Sequence, residues 1–211
     1  MNLIYRVGHV IFRAIGRWYF NWEVQNPDRV PPSGAVVLAS NHVSYLDPPL
    51  IGAAVSREIY FLGRASLFRN PWAAKLLRAV NCFPVDRERG SPGGLKAVIE
   101  LLRNKEAVLL FPEGTRTPDG QLHPAEAGIG LLVVKTGCPV VPIGISGMYE
   151  AYNRHMKFPK PGKVRISFGT PLDFTAIRPA ADKLTKSELK KLYQKVADDI
   201  TDAIAGLLQH G

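Results

Sequence analysis

Cysteine is scarce. The 211-residue chain has two, Cys82 and Cys138, each inside an apolar segment. Two such thiols make neither a disulfide framework nor a thiolate metal cluster, which favours a reducing compartment. Metal-ligand spacings are missing among the five histidines. No stretch reaches the roughly 18 uncharged apolar residues of a spanning helix. The N-terminus lacks a continuous apolar h-region with a small-residue cleavage site, so no signal peptide is expected. No glycine-rich loop carries the P-loop lysine signature. Gly144-Ile145-Ser146-Gly147 falls one residue short of a Gly-x-Ser-x-Gly nucleophile elbow. Acidic residues are also few: 18 Asp and Glu against 27 Lys and Arg leave a formal charge of +9. That balance points to an anionic partner: nucleic acid, an anionic membrane surface, or an acidic substrate or carrier. No nucleic-acid-binding motif accompanies the charge, so a nucleic-acid partner is not expected.

What is present is ordinary globular material, 46% hydrophobic and 21% charged, and long enough for one domain with a real core. Apolar runs of strand length fall at 35–40, 58–63, 82–85, 107–111, 140–145 and 164–168, with a short alternating stretch at 22–25. Helical periods fall between them, at about 48–56, 71–80, 91–104, 124–136 and 185–208. This alternation predicts a single α/β domain, a mostly central β-sheet covered by helices. Pro142 pushes its strand toward an edge or a bulge.

Residues 1–20 read as an appended amphipathic helix. Leu3, Ile4, Val7, Ile11, Ala14, Ile15 and Trp18 recur at three- and four-residue steps, with Arg6, His9, Arg13 and Arg17 on another face. Such a helix either anchors at a membrane interface or packs on its own core. Each arginine near an anionic leaflet would contribute about 1 kcal/mol. The expected division is 1–25 as an interfacial helical unit and 26–211 as the main domain.

Four strand ends carry candidate chemistry. The 35–40 strand runs into Asn41-His42-Val43-Ser44-Tyr45-Leu46-Asp47. A turn there lets Asp47 reach one nitrogen of His42, making the other a better base. Equally, Asp47 before Pro48 reads as a helix N-cap and His42 as a buried, satisfied histidine. The 107–111 strand runs into Pro112-Glu113-Gly114-Thr115-Arg116-Thr117. There Gly114 permits a tight turn, and Arg116 is a fork suited to phosphate oxygens. Glu113 would receive hydroxyls or hold Arg116, or the segment is only a turn with a local ion pair. Arg64 and Arg87 follow two further strands and read as an anion wall or as surface arginines. The stretch 154–165 holds Arg154, Lys157, Lys160, Lys163 and Arg165 without an acid. It is a solvated loop, or it docks an acidic carrier or leaflet.

Taken together these blocks resemble the glycerolipid acyltransferases, and more specifically the bacterial 1-acyl-sn-glycerol-3-phosphate acyltransferase (PlsC-type) family. Asn41-His42 with Asp47 resembles its His-x4-Asp block. Phe61-Leu62-Gly63-Arg64 through Phe83-Pro84-Val85-Asp86-Arg87 resembles the second. Phe111 to Arg116 matches the third, and Val141-Pro142-Ile143-Gly144 resembles the fourth.

The resemblance implies that His42 is the general base and Asp47 holds it. It implies that Arg64, Arg87, Glu113, Gly114, Thr115 and Arg116 receive a lysophospholipid, and that Val141 and Pro142 shape an acyl site. The donor would be an acyl thioester of coenzyme A or acyl carrier protein, with no other cofactor and no metal. The setting would be the cytoplasmic face of the cell membrane, attached peripherally. There are two departures. Where the second block often has Lys, this chain has Arg64, which keeps the charge. Where many relatives carry Phe-Lys-x-Gly, this chain has Ala125-Glu126-Ala127-Gly128. The reversed charge at Glu126 leaves open a different lysolipid or an amine-bearing acceptor.

Overall fold

The computed structural model describes residues 2–85 and 92–209. The chain runs α1 (Leu3–Trp18), β1 (Glu23–Gln25), β2 (Val36–Ser40), α2 (Asp47–Ala54), β3 (Phe61–Arg64), α3 (Pro71–Ala79), β4 (Cys82–Val85), α4 (Pro92–Arg103) and β5 (Ala107–Leu110). It continues through α5 (Ala127–Thr136), β6 (Val140–Ser146), α6 (Met148–Tyr152), β7 (Arg165–Phe168), α7 (Ile177–Ala181) and α8 (Lys186–Gln209). Single 3-10 turns lie at Pro27–Arg29 and Ala65–Phe68. The expected α/β architecture is found, a mixed sheet flanked by helices. The sequence pattern does not show α6 and α7, because five residues are too few to establish a helical period.

Five strands form one sheet in the order β1-β7-β6-β2-β5. β2 runs parallel to both β5 and β6, while β7 is antiparallel to β6. β3 and β4 form a separate parallel pair. Tyr60, just before β3, joins that pair to the main sheet. Its N–H donates to the Ala107 carbonyl at 2.8 Å, and its own carbonyl accepts from Leu109 at 2.9 Å. β2, β5, β3 and β4 therefore point the same way, so their C-terminal ends share one rim, where open α/β sheets place ligands.

β2 is buried along its whole length, as its uninterrupted apolar run requires of a central parallel strand. Val36 and Leu38 pack with Phe20, Leu50, Ile51 and Val141 on one face. Val37 and Ala39 pack with Leu132, Val133, Val196 and Ile200 on the other. A side chain such as Leu38, fully removed from water, contributes about 1.5–3 kcal/mol. Phe20, inside the segment read as an appendage, is fully buried in this same core.

Of the two expectations for Pro142, the bulge is found and the edge is not: β6 lies between β2 and β7, and its ladder with β7 slips by one residue beside the proline. The Pro142 carbonyl accepts from Gly169 at 2.8 Å, so the proline's missing donor faces the β7 side. There the antiparallel ladder breaks between the Ile143–Phe168 and Val140–Leu172 pairs, and no donor is needed. Gly169 leaves room for the ring, since a Cβ there would meet Pro142 Cγ at 2.7 Å.

Of the two readings of α1, packing of its stripe on the core is not found. Its apolar stripe of Leu3, Ile4, Val7, Ile11 and Trp18, joined by Val10, faces outward. The opposite side, with Tyr5, His9, Phe12 and Gly16, faces the domain. No described helix is long and apolar enough to cross a membrane.

Candidate active site

The site begins where β2 ends. The Asn41 side chain extends the sheet by one rung: its Oδ1 accepts from Ile145 N–H at 2.8 Å, and its Nδ2 donates to the Ile145 carbonyl at 2.9 Å. The chain then turns sharply through 42–46 into α2. Asp47 Oδ2 sits inside that turn. It accepts from His42 Nδ1 at 2.8 Å and from the backbone N–H groups of Val43 and Ser44, both at 2.7 Å. Asp47 is fully buried and His42 nearly so. A carboxylate only accepts, so Nδ1 carries the proton and Nε2 presents a lone pair. Among the described residues Nε2 has no protein partner.

Asp47 is not the expected N-cap. It is the first residue of α2, behind Leu46, and its carboxylate points back into the turn. Pro48 and Pro49 fill the next two helical positions, where no N–H is required.

The loop after β5 grips His42 from the other side. Glu113 Oε1 accepts from the His42 N–H at 3.0 Å, and Thr117 N–H donates to the His42 carbonyl at 2.8 Å. Glu113 Oε2 takes the N–H of His123 at 3.2 Å. Burial raises the Glu113 carboxyl above its usual value, opposed by these two backbone donors. Phe111 stacks on the imidazole, with centroids 3.8 Å apart and planes 15° from parallel. Gly114 turns the loop with a left-handed φ of 68°. The Glu126 carboxylate covers it, since a Cβ at Gly114 would lie 2.6 Å from Glu126 Oε1.

Cations collect next to the histidine. The Arg116 guanidinium lies over the Tyr45 ring, its carbon 3.4 Å from the centroid. Burial lowers the Arg116 pKa from its usual value; Tyr45 opposes this, and the like charges of Arg154 and Arg64 add to it. Arg154 Nη1 donates to the Arg116 carbonyl at 3.3 Å. Arg116 Nη1 is buried and has no partner among the described residues. Two like charges beside Arg116 and its unused buried donor suit this cluster to an anion.

A cavity of about 470 Å³ runs inward from this cluster. His42, Tyr45, Arg64, Thr115 and Arg116 form its polar end. Its body is apolar, walled by Phe12 of α1, Pro49 and Gly52 of α2, Phe61 of β3, and Leu67, Leu77 and Val80 around α3. Cys82 also lines it, and burial pushes that thiol up to about 11, so it is unreactive.

The predicted residues separate into groups. His42, Arg64, Thr115 and Arg116 meet at the cavity. Asp47, Glu113 and Gly114 stand behind them and hold their loops. Glu113 spends both oxygens on backbone N–H groups, and Arg116 Nη1 stays without a partner among the described residues. Val141 and Pro142 are not brought to the cavity, because a central strand turns their side chains into the sheet packing. Arg87 lies outside the described residues.

Asn41, Tyr45, Phe111 and Arg154 were not singled out as site residues. Asn41 and Phe111 fall inside the blocks that carry the resemblance, and Arg154 inside an acid-free basic stretch. Chemically the arrangement joins an oriented base, an anion site and an apolar channel. It suits removing a proton from a hydroxyl on a molecule that has both an anionic and an aliphatic part.

Comparison with known proteins agrees. The family described as Acyltransferase matches residues 21–146. A 1-acyl-sn-glycerol-3-phosphate acyltransferase of Bacillus subtilis (strain 168) is 30% identical over 151 residues, covering 71% of this chain and 73% of that protein. The human 1-acyl-sn-glycerol-3-phosphate acyltransferase beta is 29% identical over 157 residues, 69% of this chain and 53% of that protein. The crystal structure of the 1-acyl-sn-glycerophosphate (LPA) acyltransferase PlsC from Thermotoga maritima superposes with a TM-score of 0.73 at 26% identity, covering 94% of this chain and 78% of that one.

Proposed function

Because the chain belongs to the acyltransferase family, we propose that it moves a fatty acyl group from an acyl thioester to the sn-2 hydroxyl of 1-acyl-sn-glycerol 3-phosphate, giving phosphatidic acid. The observation that carries this reading is the His42–Asp47 pair, held at 2.8 Å at the polar end of an apolar cavity and beside Arg116. His42 Nε2 takes the hydroxyl proton as the oxygen attacks the thioester carbonyl. The tetrahedral centre collapses, the C–S bond breaks, and the departing sulfur receives the proton from the imidazolium. The products are an ester and a thiol, so the sequence balances without an acyl-enzyme or a further cofactor. Asp47 keeps Nδ1 protonated and stabilises the imidazolium. Arg116, Arg64 and Arg154 hold the glycerol phosphate, with Arg87 as the fourth cation that the resemblance implies. Proton transfer of this kind contributes about 10²–10⁴ in rate, and positioning of the hydroxyl can contribute more.

The thiol carrier is coenzyme A or acyl carrier protein. The enzyme works as a peripheral protein on the cytoplasmic face of the membrane, with the outward stripe of α1 in the leaflet. A second acceptor reading has one observation in its favour: the Glu126 carboxylate lies over the Gly114 turn. A negative charge there favours a lysolipid that carries an amine beside its phosphate. An acceptor screen with purified protein decides between them. Lysophosphatidic acid should exceed every other lysolipid in kcat/KM. Preference for an amine-bearing acceptor, or for one without phosphate, would replace the first reading.

A further inference from the structure

The exposed large hydrophobic side chains are not scattered. Among the described residues, all of them apart from Tyr45 fall in three segments, 1–22, 59–85 and 154–168. These segments make up under a third of the chain, and none contains an aspartate or glutamate. The first holds Arg6, Arg13 and Arg17 with the outward stripe of α1. The second holds Arg69, Lys75 and Arg78 around Leu67, Trp72 and Leu76. The third holds Arg154, Lys157 and Lys160 around Phe158. Trp18, Trp72 and Phe158 are 83%, 80% and 79% exposed, which is unusual for aromatics in a water-facing surface.

The three segments are also tied together. Asn2 Nδ2 donates to the Ala79 carbonyl at the end of α3 at 2.8 Å. Tyr19 OH donates to the Pro159 carbonyl at 2.8 Å, next to Phe158. On α3, Trp72 and Leu76 stand one turn apart on the outer side, while Leu77 lines the cavity. Tyr5, His9 and Phe12 of α1 line its other wall.

We propose that α3, with the turn before it, and the 157–160 loop enter the same anionic lipid leaflet as α1, so that the bilayer seats against a three-part surface around the cavity. The proposal rests on the peripheral attachment stated above and extends it to two elements outside the N-terminal helix. Charge selects the occupant. Cations dominate the fringe of this apolar surface; the carboxylates beside it, Glu23 and Glu58, are engaged by Lys163 and Arg165 and by Asn81. Such a surface matches an anionic bilayer, whose headgroups meet the cations while Trp and Phe sit at the interface. An α1–α3 frame in the leaflet would let a lysolipid slide its chain between the helices without leaving the membrane.

The test uses surface substitutions rather than deletion of α1, which would strip a wall from the cavity. Trp72→Gln/Leu76→Gln, Phe158→Gln and Val7→Gln/Val10→Gln are compared with wild type. One readout is binding to phosphatidylcholine vesicles with and without phosphatidylglycerol. A second is turnover of vesicle-embedded lysophosphatidic acid against a short-chain, water-soluble analogue. The expected result is a loss of about tenfold or more in vesicle binding and embedded-acceptor turnover for the α3 and α1 pairs, a smaller loss for Phe158, and unchanged turnover of the soluble analogue. Binding should also depend on the anionic lipid.

If only the α1 pair weakens binding, the three-part surface is overturned and the N-terminal anchor stands alone. If the α3 pair changes binding of acyl carrier protein and not of vesicles, this face is a carrier dock and the proposal fails. If wild type ignores vesicles altogether, peripheral attachment itself falls. Failure of wild type on the soluble analogue counts against the acyltransferase assignment separately.

Discussion

The Glu113 carboxylate accepts a hydrogen bond from the backbone N–H of His42 at 3.0 Å, across 71 residues of sequence. With Thr117 N–H on the His42 carbonyl, the loop after β5 fixes the peptide groups on both sides of the base. Glu113 is thus a positioning residue. Glutamine offers one acceptor oxygen where two backbone N–H groups need one each, so Glu113→Gln leaves an N–H facing an amide donor. A hydrogen bond from a backbone group to a buried charge is worth about 1.5–3 kcal/mol. The expected outcome is a kcat loss of about tenfold or more with little change in acceptor KM.

Linkage gives the same substitution a pH signature. Burial raises the Glu113 carboxyl in the folded state. Its favourable contribution is therefore complete below the unfolded value, near pH 4, and is lost as pH rises through the folded one. Wild-type stability relative to Glu113→Gln should decline from below pH 4 toward neutrality in denaturant melts. A difference that stays flat over that range contradicts a raised carboxyl.

Asp47→Asn removes the charge that stabilises the imidazolium and admits the wrong tautomer of His42. Turnover should fall about 10²–10⁴-fold. Part of the damage is structural, because Oδ2 also holds the Val43 and Ser44 N–H groups. Circular dichroism and the melting temperature separate the two effects, and a folded variant with near-normal turnover would remove Asp47 from the mechanism.

Arg154→Gln tests the anion site without touching the base. Arg154 is exposed and donates to the Arg116 carbonyl, which lets it both orient Arg116 and meet a phosphate. The KM for lysophosphatidic acid should rise about tenfold, kcat should change little, and the effect should shrink for an acceptor without phosphate. An equal effect on both acceptors would reduce Arg154 to a structural role.

Leu77→Phe narrows the apolar body of the cavity. Each methylene that no longer fits is worth about 1–3 kcal/mol in discrimination. The ratio of kcat/KM for long over short acyl chains should fall by about tenfold or more. An unchanged ratio would mean that neither chain occupies this cavity.

Much of this was legible in the sequence, for definite reasons. The buried parallel strands announce themselves as continuous apolar runs, and β2, β5 and β6 lie where those runs fall. His42, Asp47 and Arg116 stand at strand ends, which a parallel sheet gathers on one rim. What the sequence conceals is direction and partner. The stripe on α1 looks the same whether it faces core or solvent; only the packing of Tyr5, Phe12 and Gly16 shows that it points out. Glu113 looks like a substrate ligand because its real partners are backbone N–H groups, which no residue letter encodes. Pro142 reads as an edge or a bulge, and only the slip in the neighbouring ladder decides for the bulge. Asp47 before Pro48 reads as a cap, and only the turn geometry sends its carboxylate backward.

The most direct measurement is the initial rate of phosphatidic acid formation from lysophosphatidic acid and an acyl thioester, for wild type and His42→Ala, with fold and vesicle binding checked in parallel. The account predicts a loss of about 10²–10⁴-fold in His42→Ala, an unaltered fold and unaltered vesicle binding. A folded His42→Ala protein that keeps near-wild-type turnover would contradict it.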